Sequence, residues 1–163
     1  MLDIWPTLPV VVSGGYDTVD GIENITVALE HNDRIHKIIF EDISDQLLEG
    51  IGAVPPQPFP ILTFLHLESS YVSLPIPPKS LLGASVPHLQ YLLFVGIAFP
   101  ALPNLLLMAH DLLTLRLWHI PHSGYDSPET MVTCMSVMSG VALHLRFCSP
   151  DLAPTEQGDV HLL

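Results

Sequence analysis

The sequence predicts an α/β fold: about six short strands in one parallel sheet, with a helical or extended return after each strand. Two observations carry this prediction. A six-residue phrase, apolar at its first, fourth and sixth positions, occupies residues 35–40, 62–67, 89–94 and 112–117, with a degenerate copy around Leu143 and Leu145. Its central positions are 38, 65, 92, 115 and 143, so the steps between copies are 27, 27, 23 and 28 residues.

A phrase of the form L-x-x-L-x-L that returns about every 20–29 residues is typical of leucine-rich repeats. Each such repeat contributes one strand and stacks on its neighbours, and the stacked strands form a binding surface. Strands joined by helix-like returns favour parallel pairing and right-handed crossovers. The sequence therefore predicts a short leucine-rich-repeat solenoid over residues 1–148, with the L positions in the core and helices on the convex side.

The first predicted strand spans residues 8–12, because Val10 lies 28 residues before Ile38 and keeps the repeat step. A helix over residues 21–30 follows, with Asp20 as its N-cap. Its apolar positions recur at helical spacing and face the core. They are Ile22, Ile25 and Leu29.

The second predicted strand is residues 35–40, after a polar turn. Ser44 is placed to cap a second helix over residues 45–53. The prolines between 55 and 60 end this helix and force an extended approach to the third strand, residues 62–67. The inward positions of the helix are Leu47, Leu48 and Ile51.

The fourth predicted strand is residues 89–94, and one or two helical turns over 102–109 lead to the fifth, residues 112–117. The run Ser127-Pro128-Glu129 has the pattern of a helix start. That helix reaches Met138, and the last strand covers residues 141–147. Residues 149–163 are polar and rich in turn formers, so we expect a disordered tail. The apolar stripe of the last helix is Met131, Cys134, Met135 and Met138.

The composition excludes several classes of function. With 163 residues the chain is one domain, and no apolar run reaches the roughly 18 residues that a membrane helix needs. The formal net charge is −12, so nucleic acid and anionic membranes are unfavourable partners, whereas a basic peptide is attracted. The alternative is that the charge serves solubility alone. Two cysteines and no signal peptide favour the cytoplasm or the nucleus.

Equivalent strand positions lie about 4.8 Å apart across a parallel ladder, so the solvent-facing residues form three columns on the concave side. The first column is Lys37, Phe64, Tyr91, Thr114 and Ala142. The second column is Ile39, His66, Leu93, Arg116 and His144. The third column is Glu41, Glu68, Val95, Trp118 and Arg146.

The middle of these columns is an aromatic and apolar patch between acids on one side and arginines on the other. Exposed aromatics beside arginine are the composition of binding hot spots, so we predict that the patch binds a protein or peptide. The alternatives are that these side chains simply cover the sheet, or that further chain covers them. The predicted partner-binding residues are Phe64, His66, Tyr91, Leu93, Val95, Arg116, Trp118, His144 and Arg146.

The patterns for catalysis and metal binding are weak, so we expect no catalytic, cofactor or metal site. His119 and His122 form the one close histidine pair, without the further ligands that zinc requires. His66 and His144 share a column but lie about 14 Å apart on the ladder spacing. Cys134 has no neighbouring base to activate it. An enzyme of unknown type remains the alternative from another class.

Three segments resemble the leucine-rich-repeat part of basidiomycete fungal F-box proteins. They are residues 28–34 (ALEHNDR), 99–105 (FPALPNL) and 115–134, which begins LRLWHIPHSGY and continues through SPE and MVTC. The resemblance spans about Trp5 to Pro150. It implies a repeat arm that recruits substrates to a cullin ubiquitin ligase, with an F-box that docks on an Skp1-type adaptor.

The sequence departs from this family in two places. Only four residues precede Trp5, so we expect adaptor binding only where an F-box is encoded upstream. Gly140 also falls where the last repeat needs its first apolar residue, which predicts relaxed constraint or a local bulge there. The alternative to a ligase arm is a free-standing or degenerate repeat scaffold.

Overall fold

A computed structural model describes the strands and most of the segments between them. For residues 145–147 and 159–162 the description covers the backbone. The described residues are 8–15, 21–44, 46–48, 51, 57–69, 85–97, 102–120, 129, 132, 133, 136, 140–147 and 159–162.

The described residues form one sheet whose strands follow each other in chain order. The strands are β1 (Val10–Gly14), β2 (Ile35–Phe40), β3 (Phe64–Glu68), β4 (Tyr91–Val95), β5 (Thr114–Ile120), β6 (Ala142–Phe147) and β7 (Asp159–Leu162). Neighbours from β1 to β6 pair in parallel. The predicted α/β class and six-strand parallel sheet are therefore confirmed.

The register follows the spacing of the sequence phrase. The centres of the phrase are paired across β2 to β6 without a slip, and each is at most 7% exposed. Isoleucine and leucine at these positions bury their branched side chains on one side of the sheet, which is the main stabilising contribution of the fold. The paired residues are Ile38, Leu65, Leu92, Leu115 and Leu143.

The strands β3, β4 and β5 begin two residues later than the sequence predicts. The first apolar residue of each phrase is buried, but its N–H closes a turn with the carbonyl three residues earlier, so it precedes the ladder. The pairs are Leu62 to Phe59, Leu89 to Val86 and Leu112 to Ala109, and the same bond joins Ile35 to Asn32.

The predicted alignment of the first strand is wrong by two residues. Val12, rather than Val10, pairs with Ile38 and is buried. The register shifts between Val10 and Val11, where β1 has an irregularity of the bulge type. A bulge inserts a residue without changing the apolar pattern, so a fixed 28-residue step could not place this strand.

Helical segments occupy several of the returns, as predicted. Helix α1 (Ile22–Glu30) buries Ile25 and Leu29, and its N-cap position is Gly21, which has no side-chain bond, one residue after the predicted cap. Ser44 does cap the next turn, because its Oγ accepts from the Leu47 N–H at 3.2 Å. Helix α2 (Leu102–Met108) matches the predicted return.

The chain end differs from the predicted disordered tail over four residues. Strand β7 runs antiparallel along β6, from Leu143 opposite Leu162 to Arg146 opposite Asp159. An edge strand presents unpaired N–H and C=O groups, and these four residues satisfy them along β6. The predicted Asp20 cap, the segment rich in prolines over 70–84, and the stripe with Cys134 lie outside the described residues; 129, 132, 133 and 136 are helical.

The β5–β6 pairing keeps its register past the glycine at 140. Leu115 opposes Leu143, and the irregularity lies instead between Trp118 and Ile120 at the other end of β5. Gly140 has a φ of +85°, a conformation that glycine adopts without strain. The bulge is therefore at the exit of β5 rather than at Gly140.

A further repeating feature follows the strands, and the sequence analysis missed it. Three residues that come just after the third column have a left-handed backbone: Asp42 (φ 52°), Gly96 (67°) and His119 (53°). Each precedes a buried isoleucine. These are Ile43, Ile97 and Ile120, whose steps of 54 and 23 residues equal the repeat steps.

Candidate functional site

The three predicted columns share one face of the sheet, here called the strand face. Register pairs their members on β3 to β6 as predicted, and Lys37 and Ile39 of β2 join the first and second columns. The columns also continue onto β1, where Val11 opposes Lys37 and Ser13 opposes Ile39. These two residues were missed because the first strand was aligned two residues out of place.

Four side chains on this face form the aromatic–arginine cluster: Phe64, Tyr91, Arg116 and Trp118. The rings of Phe64 and Tyr91 stack, with centroids 4.6 Å apart and planes 4° apart. The Arg116 guanidinium carbon lies 5.4 Å from the Tyr91 ring centroid and 5.6 Å from that of Trp118. Stacking and cation–π contacts are each stabilising by about 1 kcal/mol.

Lys37 extends the row on the other side, with its Nζ 5.6 Å from the Phe64 ring centroid. Cations therefore flank the aromatic rings at both ends. The members of the cluster are only partly exposed, so their side chains are held by one another before any partner arrives. A prearranged surface loses less side-chain entropy on binding.

Arg116 has hydrogen-bonding capacity that the described part of the chain does not use. Its Nε is fully buried and has no hydrogen-bond partner among the described residues. The ion pairs of those residues involve His66 and His88, not Arg116. Buried donors are normally satisfied, so an unused one on a binding face calls for an explanation.

A second group, the histidine–carboxylate group, lies beside the cluster and comprises Glu41, His66 and Glu68. Nε2 of His66 lies 3.2 Å from a Glu68 carboxylate oxygen, which accepts its proton because an ionised carboxylate can only accept. Nδ1 of His66 lies 3.9 Å from Glu41. The His66 side chain is 12% exposed, whereas Glu41 is 64% exposed and open to a cation from outside.

Leu93 differs from its prediction as a solvent-facing residue, because it is 8% exposed. It is also absent from the main core cluster, although its neighbours Leu92 and Phe94 belong to it. Leu93 lies in register between His66 and Arg116. The larger side chains of the strand face therefore cover it, and it supports the site from below.

The remaining predicted residues lie at the expected register positions. Val95 is partly exposed and pairs with Trp118. His144 pairs with Arg116, and Arg146 pairs with Trp118. The structure thus brings the predicted partner-binding residues onto adjacent strands of one face.

The described residues hold no group of three or more histidine, cysteine, aspartate or glutamate side chains able to bind a metal ion together. His66 and His144 are separated by three strand steps, about 14 Å. Of the predicted pair, His119 has a left-handed backbone after the third column, and His122 lies outside the described residues.

Within the described ranges, none of the helices has the length and apolar character needed to cross a membrane. Comparisons of the chain with protein-family models, with curated proteins and with solved structures find no significant match.

Proposed function

We propose that the chain is a protein-binding leucine-rich-repeat module whose strand face holds a protein or peptide partner. Support for the repeat class comes from strands in chain order, centres in register, and the same turn before four successive strands. Solenoids built from such units use their strand surface for binding.

The aromatic–arginine cluster is the observation that carries this proposal. Tyrosine, tryptophan and arginine are the residue types enriched in binding hot spots. Here they contact one another on one face, and Arg116 keeps an unused buried donor among the described residues. A partner that supplies an acceptor to Arg116 and an apolar surface to the rings satisfies both features.

The experiment that tests binding is affinity capture from a basidiomycete lysate with the whole chain as bait. The wild type is compared with the Tyr91→Ala, Trp118→Ala double variant. The matched control is Leu107→Ala, Met108→Ala, which shortens two exposed side chains of α2 that are 48% and 47% exposed. Thermal unfolding of all three proteins checks that each one folds.

We expect a partner that the wild type and the α2 variant capture and that the double variant loses. Each hot-spot truncation should weaken the complex by about 2 kcal/mol. Capture of the same proteins by wild type and double variant would rule out the cluster as the binding site.

We further propose that the module is the substrate-recruiting arm of an F-box-type ubiquitin ligase subunit in the cytoplasm or nucleus. This part rests on the resemblance of the sequence to basidiomycete F-box proteins. Its test is co-purification of an Skp1-type adaptor and a cullin with a chain that includes any F-box encoded upstream. A captured partner without adaptor or cullin would favour a free-standing repeat scaffold.

A further inference from the structure

The strand face holds two opposite charges apart. Arg116 lies on β5 with a buried Nε that makes no ion pair or hydrogen bond with the described residues. Glu68 lies on β3 beside His66, and Glu41 follows β2 on the same side. The two sites face the same way but do not neutralise each other.

The register gives the distance between these charges. His66, Leu93 and Arg116 are paired in one column over β3, β4 and β5. Two strand steps separate the ends of this column, which is about 9.6 Å at about 4.8 Å per step. The surface between them is apolar, made by the Tyr91 ring and by Val95 above the buried Leu93.

This spacing selects the conformation of a peptide that crosses the strands. In a β-strand, side chains on one face are about 6.8 or 13.6 Å apart, and neither value fits. In a polyproline II helix, every third side chain faces the same way, and three residues advance about 9.3 Å. Aromatic-lined surfaces are also the ones that bind polyproline II peptides.

We propose that the strand face binds an extended polyproline II segment with an acidic and a basic side chain three residues apart. The acidic side chain pairs with Arg116, held between Tyr91 and Trp118, and supplies the acceptors that its guanidinium lacks. The basic side chain pairs with Glu68 and Glu41. This inference rests on the proposed protein-binding function and adds the chemistry and spacing of the partner.

Arginine is suited to this role because its planar group binds a carboxylate through two parallel hydrogen bonds while its flat face stacks on aromatic rings. The two contacts of Arg116 with the rings fix the plane of the guanidinium. Lysine at the same position would keep the charge but lose the planar stack. Arg116→Lys therefore separates recognition of charge from recognition of geometry.

The test is panning of a random dodecapeptide library displayed on phage against the whole chain, in parallel with Arg116→Glu and Arg116→Gln variants. We expect the wild type to enrich peptides with an acid and a base three residues apart, together with proline. The Arg116→Glu variant should enrich a base at the position of the acid. Enrichment of peptides without this spacing, or an unchanged preference of Arg116→Glu, would overturn the inference.

The dominant peptide is then synthesised with a fluorescent label, and its affinity is measured by polarisation. We expect at least a tenfold loss of affinity with Arg116→Gln, a smaller loss with Arg116→Lys, and a loss when one residue is inserted between the acid and the base. Circular dichroism of each variant checks folding, and Arg116→Gln provides the comparison if Arg116→Glu does not fold. Equal affinity of the inserted peptide would refute the spacing.

Failure of this inference is distinguishable from failure of the proposed function. If no acid–base spacing is enriched but the Tyr91→Ala, Trp118→Ala variant still loses its captured partner, the binding function stands and the peptide chemistry is wrong. If the captured partner is also retained by the double variant, both proposals are wrong.

Discussion

The two faces of the sheet are built on the same ladder but have opposite chemistry. On the core face, the central column is aliphatic throughout and at most 7% exposed. On the strand face, the neighbouring column changes at every step. Its members are Ile39, His66, Leu93, Arg116 and His144. Repetition on one face maintains the fold, while variation on the other provides a surface that can recognise a particular partner.

The sharpest test of this comparison uses two adjacent leucines of β4. Leu92 is fully buried in the core, whereas Leu93 is 8% exposed on the strand face and outside the core cluster. We expect Leu92→Ala to lower the free energy of unfolding by about 3–4 kcal/mol, because it leaves a cavity that the strands cannot close. Urea unfolding measures this change.

Leu93→Ala is the matched control, since it removes the same atoms one residue further along. Side chains rather than a packed core surround it, so we expect a loss of about 1–2 kcal/mol. Equal losses for the two variants would show that the strand face is packed like the core, and the comparison would fail.

The second largest effect concerns the turn that follows β4. Gly96 has a φ of +67°, and a Cβ at this position would collide with the Ser69 carbonyl oxygen. Ser69 belongs to the preceding unit, and its N–H donates to the Val95 carbonyl, so the backbones of neighbouring units meet here. We expect Gly96→Ala to lower the free energy of unfolding by about 2–3 kcal/mol, measured by the same urea titration.

Gly140→Ala separates the two causes of that loss. Gly140 has a φ of +85°, but a methyl group added to its Cα would meet no described atom within 4 Å. Its substitution should therefore cost only the left-handed backbone, about 1 kcal/mol. A loss at Gly140 equal to that at Gly96 would mean that close approach of the units contributes nothing.

The sequence phrase was sufficient to predict the columns because a parallel ladder translates each position to the equivalent one in the next unit. Arg116 beside Tyr91 and Trp118 followed from spacing alone. The positions that failed depend on backbone detail. A bulge displaced the first strand, and the turn closed by Leu62, Leu89 and Leu112 delayed the strand starts.

The burial of Leu93 and the orientation of Arg116 could not be predicted for a different reason. Both depend on how large side chains of neighbouring columns lean across the face, which spacing does not determine. The left-handed residue before Ile43, Ile97 and Ile120 had a readable signal, because these isoleucines keep the repeat steps. The signal lay outside the six-residue phrase and was overlooked.

A smaller effect on the strand face is the coupling between Phe64 and Tyr91. Their rings stack at 4.6 Å, so a double-mutant cycle with Phe64→Leu and Tyr91→Leu should give about 1 kcal/mol of coupling in thermal or urea unfolding. Phe64 and Trp118 lie two strand steps apart, and the same cycle for this pair should give less than about 0.5 kcal/mol. Coupling of equal size in both pairs would indicate a rearranged cluster.

The smallest expected effect on stability is at Arg116. Arg116→Met keeps an unbranched apolar stem against Tyr91 and Trp118 but removes the buried Nε that lacks a partner among the described residues. Removing an unsatisfied buried donor offsets the loss of two cation–π contacts, so the free energy of unfolding should change by less than about 1 kcal/mol in either direction. Binding of a captured partner should nevertheless be lost. A large destabilisation with binding retained would assign Arg116 to the fold, and recognition would then have to depend on the rings alone.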